Sequence, residues 1–181
     1  MSHRPIIFSG PMVLALLAGR KTMTRRLVTS PLSKCQIGDR LWVREAAYYT
    51  IDQGTHKPAK VEGFFADGKN RYKHNFTVES RPSIHMPRWA SRITLVVTGT
   101  KIERLQDISE SDVQAEGFER LEGLQGPCDV EEVHRDAGRD WFSDLWVSLH
   151  GVDSWRSNPE VVAISFRVEK INIDQMQAVA A

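Results

Sequence analysis

Four cations and two threonines fall within seven residues, Arg20-Lys21-Thr22-Met23-Thr24-Arg25-Arg26. Two kinds of chemistry suit this composition. Arg and Lys clamp phosphate oxygens, Arg bidentately. Alternatively, a buried or crowded lysine with a lowered pKa deprotonates a threonine hydroxyl and makes it a nucleophile. A solvated charge run after a helix is the plain structural alternative. In an extended segment, Thr22, Thr24 and Arg26 point one way and Lys21, Met23 and Arg25 the other. A curved turn relaxes that split and lets Lys21 and Thr24 converge.

Local signals indicate what positions this segment. Pro5 to Phe8 reads as a short buried strand. Gly10-Pro11 opens a helix whose apolar face is Met12, Val13, Leu16 and Leu17, and Gly19 reads as its C-terminal cap. Residues 20–26 are then a turn or a short exposed strand. Gly38-Asp39 marks a turn before a strand over Leu41–Ala46. Residues 50–88 read as a long insertion with one or two hairpin strands, anchored by Phe64, Phe65 and Phe76. Arg92 to Leu105 is the clearest strand region, with a bulge or turn near Gly99. Ser109-Glu110-Ser111-Asp112 has the capping-box pattern of a short helix ended by Gly117. Val130, Val133, Ala137, Trp141, Leu145 and Leu149 mark an amphipathic helix ended by Gly151. A last strand spans Glu160–Val168, with either Val161 and Ala163 or Val162 and Ile164 inward. The tail from Asn172 carries no strong core signal and is expected to be loosely held. Short strands mixed with helices, without βαβ alternation, favour a small mixed or antiparallel barrel decorated with helices.

The 181 residues suit one domain. The expected division is a single domain over 1–170, with an insertion at about 50–90 and a tail over 171–181. Cys35 and Cys128 make no disulfide framework or zinc cluster and are expected to be inert. No apolar run approaches a membrane span. Met1-Ser2-His3-Arg4-Pro5 lacks a signal-peptide core, so the expected compartment is the cytoplasm. Net charge is +1, but residues 1–100 carry 16 Lys/Arg against 6 Asp/Glu and residues 101–181 carry 8 against 17. That asymmetry predicts an electropositive face for an anionic partner, unless the halves interleave in space.

Leu17-Ala18-Gly19-Arg20-Lys21-Thr22-Met23-Thr24-Arg25-Arg26 resembles the signature of the ASCH domain, named for activating signal cointegrator homology. Ile37–Glu45 is similar to that family's Gly-Asp turn and following strand, and Ile108–Gly117 to its short acidic helix. Ile164-Ser165-Phe166 fits its final strand. Arg81-Pro82-Ser83-Ile84-His85-Met86-Pro87-Arg88-Trp89-Ala90-Ser91-Arg92-Ile93 resembles the long form found in phages and prophages. The resemblance covers nearly the whole chain except the loop at 50–75 and the tail.

It implies an α+β fold that is mainly β with helices, a PUA-like small β-barrel with rim helices. PUA-like barrels commonly bind RNA, and some small bacterial members of the family deacetylate N4-acetylcytidine. Carried onto this chain, the implied catalytic set is Lys21, Thr24 and Glu116, with Thr24 as nucleophile or water-positioning group. The implied substrate-binding set is Arg20, Thr22, Arg25, Arg26, His85, Arg88 and Trp89. No metal and no cofactor are required, and the expected partner is a nucleoside or RNA rather than a membrane. The alternatives are a non-catalytic RNA-binding module or a ribonuclease. Trp89 is the best base-stacking candidate, whereas Trp42 and Trp141 suit core packing. His85 suits either ligand contact or loop bracing. Glu131, Glu132, Asp136, Asp140 and Asp144 read as a solvated helix face, and His150 as a helix-end histidine serving the dipole.

Overall fold

A computed structural model describes residues 1–68, 78–119 and 130–178, and side chains within these except at 130–136 and 177–178. Phe76, His74 and Cys128, and the side chains of Val130, Glu131, Glu132, Val133, His134 and Asp136, lie outside the described residues.

The strands are β1 (His3–Ile7), β2 (Met23–Leu27), β3 (Arg40–Arg44), β4 (Ala47–Ile51), β5 (Pro58–Phe64), β6 (Val78–Arg81), β7 (Thr94–Arg104) and β8 (Glu160–Glu169). The helices are α1 (Gly10–Leu17), α2 (Glu110–Ala115), α3 (Val130–His150) and α4 (Gln175–Ala178). The first sheet runs β1-β3-β7-β8-β2 and the second β5-β4-β6. β1 and β3 are parallel; the other pairs are antiparallel. The class is mixed α+β. The first sheet does not close into the expected barrel, and β1 and β2 remain its separate edges.

β8 explains why its inward row was ambiguous in sequence. Val161, Val162, Ala163 and Ile164 are all buried. Val162, Ile164 and Phe166 enter a core with Val13 and Leu16 of α1 and Leu95 and Val97 of β7. Val161 enters a second core with Val113 of α2 and Phe142 and Trp146 of α3. A strand covered on both faces has no polar row. β7 and β8 slip register between Val97 and Gly99, the bulge expected there. β4, β5 and β6 build the second sheet, and Ala47, Tyr49, Ile51, Met86 and Ala90 form a core of their own.

Two readings are corrected. α3 turns Phe142 and Trp146 inward, while Ala137 and Leu149 are exposed. The burial stripe is rotated because the helix packs across α2 and the end of β8, not over a single flat face. The start of the tail is held tightly: Ile173 is fully buried, and Asn172 Nδ2 donates to the carbonyls of Arg88, Trp89 and Ser91 at 3.0, 3.2 and 2.7 Å.

Candidate functional site

α1 ends in a double turn-back that delivers the basic segment. Gly19 adopts φ +76°, its N–H bonds to Leu16 O at 3.0 Å, and the N–H of Arg20 bonds to Ala15 O at 3.0 Å. This is the Schellman closure, which the left-handed glycine permits. The chain then enters β2, which is an edge strand but not an exposed one. Lys21, Thr24 and Arg25 are 1, 2 and 2% exposed. The cover comes from α2: the N–H of Thr22 donates to Ala115 O at 2.8 Å.

Cross-strand pairing sorts the side chains of β2. Thr24 is opposite Ile164 and Arg25 opposite Ala163. Paired residues share a face, so Thr24 lies on the side of the first core and Arg25 on the side of the second. Arg26 returns to the Thr24 side, donating from Nη1 to Thr24 Oγ1 at 2.8 Å and lying 5.3 Å from the Phe8 ring centre. Its Nη2 also reaches Ile7 O at 3.2 Å, tying edge strand β2 to edge strand β1.

Glu116 arrives from the end of α2. Ser109 caps that helix, its Oγ accepting from the N–H of Asp112 at 3.2 Å. Gly117 then turns the chain at φ +106°; a Cβ there would stand 3.2 Å from Ala15 Cβ and 3.3 Å from Lys21 Cβ. The glycine thus lets the helix end approach the lysine. Lys21 Nζ donates to Glu116 Oε2 at 2.6 Å and to Glu116 O at 2.8 Å. Glu116 is 3% exposed. Burial holds the Lys21 pKa below its usual value; Glu116 opposes that shift, and Arg26 and Arg25 add to it.

Lys21, Thr24, Arg25, Arg26 and Glu116 line one pocket of about 430 Å³. Ile7 and Phe8 from β1, Met12 from α1, and Phe142, Leu145, Trp146, Leu149 and His150 from α3 supply the rest of the wall, with Ser83. The pocket therefore occupies the opening between the two edges of the unclosed sheet. Its base is charged and its walls are apolar and aromatic, the usual make-up of a small-molecule site. His150 stacks on Trp146 at 4.1 Å between ring centres. Burial lowers its pKa, with a further contribution from Arg26.

The remaining candidates lie elsewhere. Arg20 pairs with Glu119 at 2.7 Å, and Thr22 is exposed. Arg88 is held by Asp174 at 2.6 Å and by His3 Nδ1 at 3.1 Å. Trp89 is 48% exposed and meets Tyr49 edge-on at 6.3 Å, and His85 is exposed. None of these five lines the pocket.

Arg25 lines it without a free donor face. Its guanidinium meets Glu103 Oε1 at 2.6 Å, Asp112 Oδ2 at 2.6 Å and Glu116 Oε1 at 3.3 Å. The two charge blocks of the sequence therefore interleave, and the first half's cations at the site are matched by the second half's carboxylates. The α3 wall escaped sequence reading because its residues fit an ordinary core stripe. Among the described residues, no group of three or more His, Cys, Asp or Glu side chains is placed to hold a metal ion, and no helix is long and apolar enough to cross a membrane.

No family model and no curated protein matches the chain. Solved structures do. A hypothetical protein is 13% identical at a TM-score of 0.43, covering 93% of this chain and 100% of its own. A protein from Enterococcus faecalis V583 is 14% identical at a TM-score of 0.45, covering 98% and 81%. The chain is also similar to the ASCH domain from Lactobacillus crispatus JV V101, at 16% identity and a TM-score of 0.41, covering 92% of this chain and 79% of that one.

Proposed function

We propose that this chain is an ASCH-type hydrolase of a small N-acylated nucleobase, with N4-acetylcytidine as its model substrate. The observation that carries the reading is the buried Lys21–Glu116 pair sharing a largely apolar pocket with Thr24. A lysine with lowered proton affinity is a better base than a free one, and Thr24 lines the same pocket as the candidate nucleophile.

In the reaction, Thr24 Oγ attacks the acyl carbon and its proton passes to Lys21. The C–N bond then breaks, and Lys21 returns the proton to the departing exocyclic amine. Water hydrolyses the acyl-threonine to acetate and restores the hydroxyl. A variant of the same scheme has Thr24 position the water that attacks directly. Glu116 orients Lys21 throughout through its 2.6 Å contact. Arg26, already donating to Thr24 Oγ1, stabilises negative charge on the attacking oxygen or on the oxyanion. The aromatic wall from Phe8, Phe142 and Trp146 suits a flat base.

An RNA-binding groove along Lys21, Arg25, Arg26, Arg88 and Arg92 is less well supported. Arg25 and Arg88 have the carboxylate partners described above, and Arg92 is held by Glu45 and Asp67, each at 2.8 Å. The deciding assay incubates the protein with N4-acetylcytidine and follows acetate release. Turnover by the wild type and none by Lys21→Ala supports the hydrolase. Absence of wild-type turnover overturns it; salt-sensitive RNA binding or RNA cleavage would then favour the binding or ribonuclease alternatives.

A further inference from the structure

Arg25 has an unusual set of partners for a residue on an edge strand. Its side chain is fully buried, and three carboxylates from two elements converge on it. Glu103 comes from β7 and is bonded by both Nε, at 3.0 Å, and Nη2, at 2.6 Å. Asp112 comes from the first turn of α2, and Glu116 follows that helix. Lys101 is in turn paired with Glu103 at 2.5 Å, and the Phe142 ring lies 5.8 Å from the guanidinium carbon.

The carboxylate of Glu116 straddles the edge of β2. Oε2 reaches Lys21, and Oε1 reaches Arg25 on the side of the second core. A carboxylate held at both oxygens has no freedom to rotate about its last bond. The guanidinium that holds it is itself fixed, because its other donors are spent on Glu103, Asp112 and Met23 Sδ.

We propose that Arg25 is a positioning residue, clamped by Glu103 and Asp112 so that it fixes Glu116 against Lys21, and that it takes no part in holding substrate. The reading above matters here only for the catalytic consequence. The groups that face Lys21 are Glu116 from the end of α2 and Arg25 and Arg26 from β2. Behind them stand Asp112 of α2, Glu103 and Lys101 of β7, and His150 of α3 beside Arg26. A cation at Arg25 repels charge on Lys21 and draws on the carboxylate that would otherwise favour it. Asp112 offsets part of that cation.

Two substitutions therefore act in opposite directions. Arg25→Gln keeps a hydrogen-bond donor but removes the charge, so the titration midpoint of Lys21 rises by about 1 in pH, the size a neighbouring charge gives. Asp112→Asn leaves Arg25 less neutralised, so the midpoint falls. The measurement is the side-chain NMR titration of Lys21 in the full chain, for wild type and both variants, with the acidic limb of kcat against pH as a second readout. The resonance is followed above the His150 titration, which burial places below 6.5. Opposite displacements support the proposal. Displacements in one direction, or none, overturn it. If Arg25→Gln does not fold, a downward movement in Asp112→Asn alone supports it and an unmoved midpoint overturns it. The NMR titration stands without turnover, so absence of hydrolysis sinks the proposed activity and not this assignment. An unchanged KM in Asp112→Asn is expected, because Asp112 does not line the pocket and Arg25, which does, has its donors taken by carboxylates; a KM raised tenfold with the Lys21 midpoint unmoved overturns the positioning role.

Discussion

The hydroxyl of Thr24 can be removed without breaking an ion pair, since Arg26 Nη1 loses that acceptor but keeps Arg25 O at 2.9 Å. Thr24→Val keeps the shape and loses the proposed nucleophile. Turnover of N4-acetylcytidine should fall at least about 10³-fold, as for other nucleophile deletions, while the thermal midpoint stays near that of the wild type. Lys21→Ala is a different experiment. It breaks a buried pair, and such breaks cost about 3–5 kcal/mol, read by urea unfolding. The lysine also sets a pH dependence. Its folded-state pKa lies below its unfolded value, so the unfolded chain binds more protons between the two. Stability contributed by this group is therefore reduced below the folded pKa and recovers as pH rises toward the unfolded value near 10.5. In Lys21→Met that rise should disappear from the pH–stability curve. At this scale the sequence singled out Lys21, Thr24 and Arg26 by spacing and residue type, and the three line one pocket. The partners of Arg25 were not legible, because nothing local announces that Glu103 and Asp112 will enclose it.

Among the elements, the end of α2 controls the pocket most directly. Gly117→Ala places a methyl against Ala15 and Lys21 on a backbone at φ +106°. Such a residue is strained by about 1–3 kcal/mol, and relief requires Glu116 to move. The expected result is a lower melting temperature together with a loss of kcat larger than the stability change explains, checked by activity at a temperature where both proteins are folded. Cap signals made α1 and α2 legible in sequence: Gly19, Ser109 and Gly117 sit where they were expected. β2 was harder, since a run of Arg and Lys reads as exposed unless the carboxylates that cover it are known. α3 was found at nearly its full length, but its inward face was not, because Trp141, Leu145 and Leu149 keep the same helical period as Phe142 and Trp146.

For the molecule as a whole, the tail is the part whose importance was least visible. Residues 172–174 present one apolar side chain between two polar ones. Yet Ile173 is fully buried, Asn172 spans three carbonyls and Asp174 holds Arg88. Ending the chain at residue 170 should cost about 1.5–3 kcal/mol for the isoleucine alone, measured by urea unfolding. The mixed α+β class was legible from short strands mixed with helices without βαβ alternation. Closure was not, because it depends on how far apart β1 and β2 stop, and no residue pattern encodes that distance.

The Lys21–Glu116 contact joins residues 95 apart along the chain. A contact of that separation belongs to the slow, non-local end of folding. The site is consequently a reporter of completed folding. Activity and global structure should vanish together in denaturant, with coincident midpoints, and no fragment that omits either half should retain a trace of it.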